Sequence, residues 1–575
     1  MCGYIVYQSE NLNIKKFETA LNLINHRGPD HFQTLKINDN LVLGFRRLSI
    51  IDLNDRSHQP FKYKDLIICF NGEIYNFIEI KKELTAHGIK FKTKGDTEVV
   101  AASINYWGIE KASQKFLGMW SIFSYNKISN EIFISRDRFG IKPLYYFKSN
   151  KELIFSSEIK PILKITNDFN IDMNICNLYL NYGISDTDEN TFFEKIKVLP
   201  PSHYAKIDRH INLQKKRYWQ INENSNVGIE DQLIKTFNYH KISDVNIAVS
   251  LSGGVDSSTM AYFYKNENFN FYSLKIKNFD NEINKINEFK NKYKINHKFV
   301  ETEKYENLQS IDQIINMTFE PFQSAYPIYA LSIRNQAKDD NCKILMTGDG
   351  ADEVFAGYDF LKKFLKIQNH FKNGFLFNNL KNVMKNIFSN QSSDLEFINE
   401  NILNFTSNKK ITMKSEYEGF QDLSVLKRHL INRLLIYPMQ YWLKIEDKIS
   451  MNFSIENRVP FLNHNLIESA FTLDDDEMIK DGISKYPLKK IAEKYLPRSI
   501  VYSSKKQRPA LINRNIFNNE ICEFIIDEIG SNDLFNTKKD KILKEFKSDL
   551  AINNLKYWFR LLTYLRWKKI IKSSI

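Results

Sequence analysis

The chain has 575 residues, 43% hydrophobic and 14% aromatic, which is more than one ordinary core accommodates, so two or more domains are expected. Its net charge of +13 raises the question of nucleic acid, but lysines are spread over the whole length and the one dense basic spot, Arg566-Trp567-Lys568-Lys569, is short, so no nucleic-acid partner is expected. Cys2, Cys69, Cys176, Cys342 and Cys522 form no CxxC pair and no zinc-spaced cluster, and no secretory leader or run of about 18 apolar residues occurs; a soluble, cytoplasmic protein without a membrane partner is expected.

Met1-Cys2-Gly3 opens the apolar run Tyr4-Ile5-Val6-Tyr7. Methionine before so small a side chain is readily trimmed, leaving Cys2 with both a thiol and a free α-amine. An unperturbed α-amine titrates near ~8 and can take the thiol proton. The plain alternative is a buried apolar cysteine. Short strand-like runs follow at Leu41–Phe45, Leu66–Phe70 and Glu131–Ser135, with helical segments near Phe77–His87 and Thr97–Tyr106 and a sharp loop at Leu199–Ser202.

Three polar clusters punctuate these strands. Arg47-Leu48-Ser49-Ile50-Ile51-Asp52 places a cation at a strand end. Asn71-Gly72-Glu73-Ile74-Tyr75-Asn76 follows a strand ending at Phe70, and Gly95-Asp96-Thr97-Glu98 precedes a helix. Singly, they read as a strand-end cation, an Asn-Gly turn and an N-cap. Together they suit an amino-acid amide. A thiolate attacking a carboxamide needs an oxyanion hole, and the Asn71 amide with the Gly72 N–H offers two donors from one turn. Arg47 suits an α-carboxylate, and Asp96 an α-ammonium with Glu73 nearby.

These clusters, with Cys2-Gly3, His26-Arg27-Gly28-Pro29-Asp30 and the run Arg136 to Tyr146, resemble the class II glutamine amidotransferase domain, in the version found in asparagine synthetases. The resemblance implies an N-terminal-nucleophile (Ntn) hydrolase αββα sandwich. It implies that Cys2 attacks glutamine, forms a γ-glutamyl thioester and releases ammonia, with the α-amine as base. The glutamine contacts it implies are Arg47, Leu48, Ser49, Ile50, Ile51, Asn71, Gly72, Glu73 and Asp96.

Past Tyr218-Trp219, the polar stretch Asn222–Asn226 reads as a linker. Helices then alternate with buried-strand runs at Val245–Leu251, Phe271–Ile276 and Lys343–Thr347, an α/β parallel-sheet pattern. The first run leads into Ser252-Gly253-Gly254-Val255-Asp256-Ser257-Ser258 and a helix from about Asp256. Glycines allow a tight turn with N–H groups aimed at one anion, and the helix N-terminus adds its dipole. That is a pyrophosphate cradle without the Walker ending, and it resembles the PP-loop of ATP pyrophosphatases. Met346 to Glu353 is a second acidic loop between strand and helix. Asp256 and Asp352 could together hold Mg²⁺ through hard oxygen ligands; a carboxylate at a helix N-terminus is the plainer reading of Asp352.

The run Gly350 to Tyr358, Asp447-Lys448-Ile449-Ser450-Met451, Glu456 to Leu462 and Lys485 to Leu488 resemble the synthetase domain of asparagine synthetases. The resemblance implies ATP contacts at Leu251, Ser252, Gly253, Gly254, Asp256, Ser257, Ile276, Thr347 and Gly348. It gives Asp349 a catalytic role and Lys505 a role in stabilising charge on the α-phosphate, with Lys506 an equal candidate. The expected fold is α/β with two domains: the Ntn-hydrolase αββα sandwich over 1–210, and a doubly wound parallel-sheet PP-loop ATP pyrophosphatase domain with helical additions over 220–575. Residues from about 360 to 435 carry no chemical motif. The implied reaction converts aspartate, glutamine and Mg-ATP to asparagine, glutamate, AMP and diphosphate through an acyl-adenylate. Ammonia would cross an apolar passage at the domain interface, with Gly118-Met119-Trp120-Ser121 a candidate wall segment. Members of this family are often dimers, and a homodimer is the expectation.

Two departures bear on the acceptor. Asp349 stands where the family carries a longer glutamate, and Asn463 replaces an aspartate. They keep open amidation of another carboxylate, such as a uronic acid sugar of surface polysaccharides. A tRNA-modifying PP-loop enzyme would not need Cys2, and a β-lactam-synthetase-like enzyme would not need the intact Arg47, Asn71 and Asp96 set.

Overall fold

The computed structural model describes residues 2–208, 211–222, 227–277, 280–358, 361, 423–503, 516–531, 539–552 and 555–574. Most of the 222–226 linker, most of 360–435, and Lys505 and Lys506 lie outside the described residues.

The strands of the first half are β1 (Gly3–Ser9), β2 (His31–Asn38), β3 (Leu41–Arg47), β4 (Phe61–Tyr63), β5 (Leu66–Ile74), β6 (Gly118–Asn126), β7 (Ile132–Arg136), β8 (Tyr145–Lys148), β9 (Glu152–Ser156), β10 (Ile196–Val198), β11 (His203–Ile207) and β12 (Leu213–Arg217). They form two six-stranded antiparallel sheets, ordered β10-β8-β9-β1-β3-β2 and β12-β11-β7-β6-β5-β4. Helices α1 (Ile14–Asn22), α2 (Phe77–Ala86), α3 (Asp96–Lys115) and α4 (Ile159–Thr166) cover the outer faces, α1 and α4 on the first sheet, α2 and α3 on the second.

Side-chain alternation along the strands assigns each residue to a layer. In β1, Ile5 and Tyr7 join the core beneath α1 and α4, whereas Tyr4 and Val6 turn into the core between the sheets with Cys2. In β5, Leu66, Ile68 and Phe70 face α2 and α3, and Ile67 and Cys69 face the inter-sheet core. Each buried aliphatic or aromatic side chain contributes on the order of 1.5–3 kcal/mol, so a one-residue slip of β5 would be heavily penalised. The same parity carries on to Asn71 and Glu73, which therefore share the face of Ile67 and Cys69 and turn toward Cys2.

This corrects the turn expected at Asn71-Gly72. Both residues lie inside β5, opposite Ser121 and Trp120 of β6. Gly72 has φ 155°, and a Cβ there would fall 2.0 Å from the Met119 carbonyl oxygen, so only glycine fits. Asp96 likewise lies within the first turn of α3 rather than before it, and α3 runs on to Lys115 through non-helical Gly108.

In the second half, β13 (Ile247–Ser250), β14 (Asn270–Lys275), β15 (His297–Glu301), β16 (Ile344–Met346) and β17 (Glu456–Arg458) form a parallel sheet in the order β15-β14-β13-β16-β17. Strand order reverses between β13 and β16. In open α/β sheets the crevice outside the carboxyl ends at such a point is where ligands bind. The loops that leave β13 and β16 there are Ser252–Ser258 and Thr347–Gly350. No described helix is long and apolar enough to cross a membrane.

The halves are joined by polar contacts. Asp244 N–H donates to the Ile50 carbonyl at 3.0 Å, Ser454 Oγ to the His26 carbonyl at 2.7 Å, and Gln440 Nε2 to the Phe139 carbonyl at 2.6 Å.

Candidate active site

The first cluster forms where β1 begins beside β5. The Cys2 nitrogen, an α-amine once Met1 is removed, donates to Asn71 Oδ1 at 3.1 Å. The Cys2 thiol points at the Leu48 carbonyl, 3.8 Å away, and burial pushes it above its ordinary range. With its oxygen engaged, Asn71 leaves Nδ2 without a hydrogen-bond partner although the residue is fully buried. A buried amide donor with nothing to bind is costly unless a ligand accepts from it. Asn71→Ala is therefore expected to lower kcat for glutamine hydrolysis by about 10²-fold, the cost of one oxyanion donor. A glutaminase assay with ammonia-dependent synthesis as the internal control checks this.

Arg47 ends β3 and is buried. Its guanidinium donates to the Asp52 carbonyl at 2.5 Å and the Asn54 carbonyl at 2.9 Å, so it is already oriented by the loop that follows it. Ser49 N–H donates to Asp30 at 2.7 Å, which fixes the Leu48–Ile51 segment along the site. Glu73 is buried, with Oε2 unbonded, and burial together with the Glu456 and Asp96 charges holds its carboxyl well above the usual range. Asp96 accepts from Ile74 N–H at 2.9 Å, and burial pushes its carboxyl up to about 7. The sequence-expected glutamine contacts are thus drawn from β3, β5 and α3 into one region around Cys2.

The Asp96 shift gives a pH prediction. An ammonium ligand needs the ionised carboxylate. Below pH 7 a raised Asp96 carries a proton that binding must expel, so KM for glutamine should rise as pH falls, approaching tenfold per unit. Above pH 7 KM should be flat. A KM profile from pH 5.5 to 8.5 checks it, and a flat profile throughout would contradict it.

The second cluster lies at the strand-order reversal. Gly253 adopts φ 77°, and Ser257 Oγ lies 2.9 Å from Ser252 Oγ, closing the loop into a compact turn at the N-terminus of the Val255–Tyr264 helix. Gly348 faces it: a Cβ there would lie 3.5 Å from Ser257 N. Leu251 and Ile276, the expected adenine-side residues, are buried at the ends of β13 and β14. Thr347 Oγ1 donates to Asp349 Oδ2 at 2.6 Å.

Asp256 Oδ2 and Asp352 Oδ1 each lie 2.5 Å from Lys485 Nζ. Two hard carboxylate oxygens therefore converge on one cation position, between the facing loops. That donor set fits Mg²⁺, which takes one or two carboxylates and completes its shell with phosphate and water. Gly357 closes the back of this site, where a Cβ would meet Asp352 Oδ1 at 1.9 Å and Lys485 Cε at 2.2 Å.

Asn463, the second departure, sits at the start of a helix. It caps the His464–Phe471 helix, accepting from Asn465 N–H at 2.9 Å, a job Asn and Asp do equally well. It also lines a cavity of about 10 Å³ at the domain junction with Tyr75, Leu117, Gly118, His240 and His464, a mixed rather than purely apolar surface. Met119 and Trp120 are fully buried core residues.

Sequence reasoning assigned no role to Lys485, nor to the pair Arg27 and Asp447. All three lie in quoted motifs, but a lone lysine and an ion pair 420 residues apart carry no local pattern.

Comparison with known proteins agrees with this geometry. The family described as "Glutamine amidotransferase domain" matches residues 1–219, and that described as "Asparagine synthase" matches residues 228–564. The chain is 29% identical to asparagine synthetase [glutamine-hydrolyzing] 1 of Bacillus subtilis (strain 168) over 99% of this chain and 97% of that protein. It is 31% identical to asparagine synthetase [glutamine-hydrolyzing] 2 of the same organism, covering 79% of this chain and 63% of that one. A putative asparagine synthetase of Methanocaldococcus jannaschii is 30% identical over 64% of this chain and 79% of its own length.

Proposed function

The chain belongs to the asparagine synthase family and is a glutamine-dependent ligase, and from that premise we propose that it makes asparagine from aspartate at two separate sites. The observation that carries this is the Cys2 nitrogen bonded to Asn71 Oδ1, with the Asn71 Nδ2 buried and unbonded.

At the first site, Cys2 transfers its thiol proton to its own α-amine and the thiolate attacks the glutamine carboxamide carbon. Asn71 Nδ2 and the Gly72 N–H stabilise the oxyanion. Arg47 and the Leu48–Ile51 segment hold the α-carboxylate, and Asp96 with Glu73 holds the α-ammonium. The Cys2 α-ammonium returns its proton to the amide nitrogen, collapse expels ammonia and leaves the γ-glutamyl thioester, and water hydrolyses the thioester to glutamate.

At the second site, the Ser252–Ser257 turn cradles the phosphates, and Leu251, Ile276, Thr347 and Gly348 line the nucleotide. Asp256 and Asp352 would hold Mg²⁺, which neutralises phosphate charge when bound. The aspartate side-chain carboxylate attacks the α-phosphate, releasing diphosphate. Ammonia then attacks the acyl carbon, and AMP departs. Asp349 would assist at the acyl centre, and Lys505, or Lys506 beside it, is the cation assigned to the α-phosphate. Burial keeps His240 and His464 in their neutral forms at the junction, so neither is a ready proton donor to ammonia crossing between the sites.

One observation bears on a second acceptor. Asp349, one methylene shorter than glutamate, accepts from Thr347, so its carboxylate is turned toward the nucleotide-side residue, and a differently placed acceptor carboxylate such as a sugar uronate stays open. AMP release with Mg-ATP and glutamine, measured with and without aspartate and followed by assay for asparagine, decides between them. Aspartate-dependent AMP matched by asparagine supports asparagine synthesis. Glutaminase without aspartate-dependent AMP moves the acceptor to another carboxylate.

A further inference from the structure

Arg27 is fully buried and clamps the peptide that follows the nucleophile. Its Nε donates to the Cys2 carbonyl at 3.1 Å, and its stem lies on Gly3, where a Cβ would come within 3.0 Å of Arg27 Cδ. The direction of the Cys2 backbone therefore depends on how the guanidinium fork is held. Nη1 donates to Glu158 Oε1 at 3.1 Å, within the same domain. Nη2 donates to Asp447 Oδ2 at 2.9 Å, on the Met439–Asn452 helix of the other domain.

Asp447 is 2% exposed, and its second oxygen lies 3.6 Å from Lys142 Nζ, which has no hydrogen-bond partner. One carboxylate from the synthetase domain thus lies between two buried cations of the glutaminase domain, sharing Arg27 with Glu158. Its neighbour Glu446 is ion-paired with Arg334 and lies within electrostatic reach of Asp349 in the acceptor loop. Successive residues of one helix therefore face the two sites, Glu446 toward the acceptor loop and Asp447 toward Arg27 and Cys2.

We infer that Asp447 is a positioning residue of the glutaminase centre, supplied by the synthetase domain. It acts through Arg27: its charge sets the guanidinium fork, the fork sets the Cys2 carbonyl, and the carbonyl sets the attack direction of the thiol. The glutaminase site is incomplete without the helix that also borders the acceptor loop. This rests on the assignment of Cys2 as nucleophile.

The test uses Asp447→Asn in the full-length chain, which keeps an acceptor for Arg27 but removes the charge. Three readouts are taken: glutaminase kcat and KM, the rate of covalent labelling of Cys2 by a glutamine-like diazoketone followed by mass spectrometry, and ammonia-dependent AMP formation. The expected result is a fall of about tenfold or more in glutaminase kcat and in labelling rate. KM for glutamine should stay within threefold and ammonia-dependent turnover within twofold. Parallel loss of both activities, or unchanged labelling, overturns the inference. Should Asp447→Asn fail to fold, Asp447→Glu carries the test, because it retains the charge but displaces it. The same split is expected, and wild-type labelling in that variant overturns it. Absence of glutaminase and labelling in the parent protein overturns the Cys2 assignment as well, whereas an active parent with an unaffected variant overturns this inference alone.

Discussion

Replacing Cys2 with alanine should lower glutamine-dependent synthesis by at least about 10³-fold while ammonia-dependent synthesis stays near the parent rate. The thiol is the atom that attacks, and removing a nucleophile leaves only the oxyanion donors and binding. The second site does not touch Cys2. Its loops leave β13 and β16 of a different sheet, in the other domain. Ammonia supplied in solution should therefore reach the acyl centre without the first site. The measurement is AMP release with glutamine and, separately, with ammonium salt. Loss of both activities in folded protein would contradict two separable sites.

The converse substitution has the second large effect. Asp256→Ala should reduce acceptor-dependent AMP formation by about 10²–10³-fold and leave glutaminase within twofold. Asp256 stands at the first turn of the Val255–Tyr264 helix and, with Asp352, converges on the cation position now held by Lys485. If that position takes Mg²⁺ as proposed, loss of Asp256 leaves it one carboxylate of two, and phosphate charge would be less neutralised. Glutamate release and AMP release measured on the same sample separate the two halves. A variant that loses glutaminase to the same extent would show that the clusters are not independent.

Much of both sites was legible because their chemistry is local in sequence. The Ser252–Ser258 turn sits between an apolar strand and a helix, and the folded chain places it there. The candidate glutamine contacts are short runs in and just after β3, in β5 and at the start of α3, and they gather around Cys2. The Asn71-Gly72 pair was misread as a turn because the dipeptide itself favours one. Pairing with β6, and the requirement that Gly72 pass beside the Met119 carbonyl, override that preference. The alternation of Ile67 and Cys69 already contained the better answer, since it carries Asn71 to the same face. Asn463, read in sequence only as a replacement for aspartate, has a local structural role as a helix cap that asparagine and aspartate both fill.

What was not legible is the layer between the domains. Arg27 with Asp447, and Lys485 with Asp256 and Asp352, join residues hundreds of positions apart, and no periodicity or spacing reports such pairs. The junction carries Arg27, Lys142, Asp447, Glu456 and Arg458 as buried ionic groups, which no local pattern announces. Removing one partner from such a set typically costs about 3–5 kcal/mol, which ties the relative placement of the two sites to the charges between them.

The most direct test of the whole account follows the nitrogen. The parent protein is given glutamine labelled with ¹⁵N in the amide, Mg-ATP and aspartate, in buffer containing unlabelled ammonium, and the product is analysed by mass spectrometry. The expected product is asparagine that retains the glutamine label, in equal amount to AMP. Asparagine carrying only solution nitrogen, or AMP that does not depend on aspartate, would contradict it.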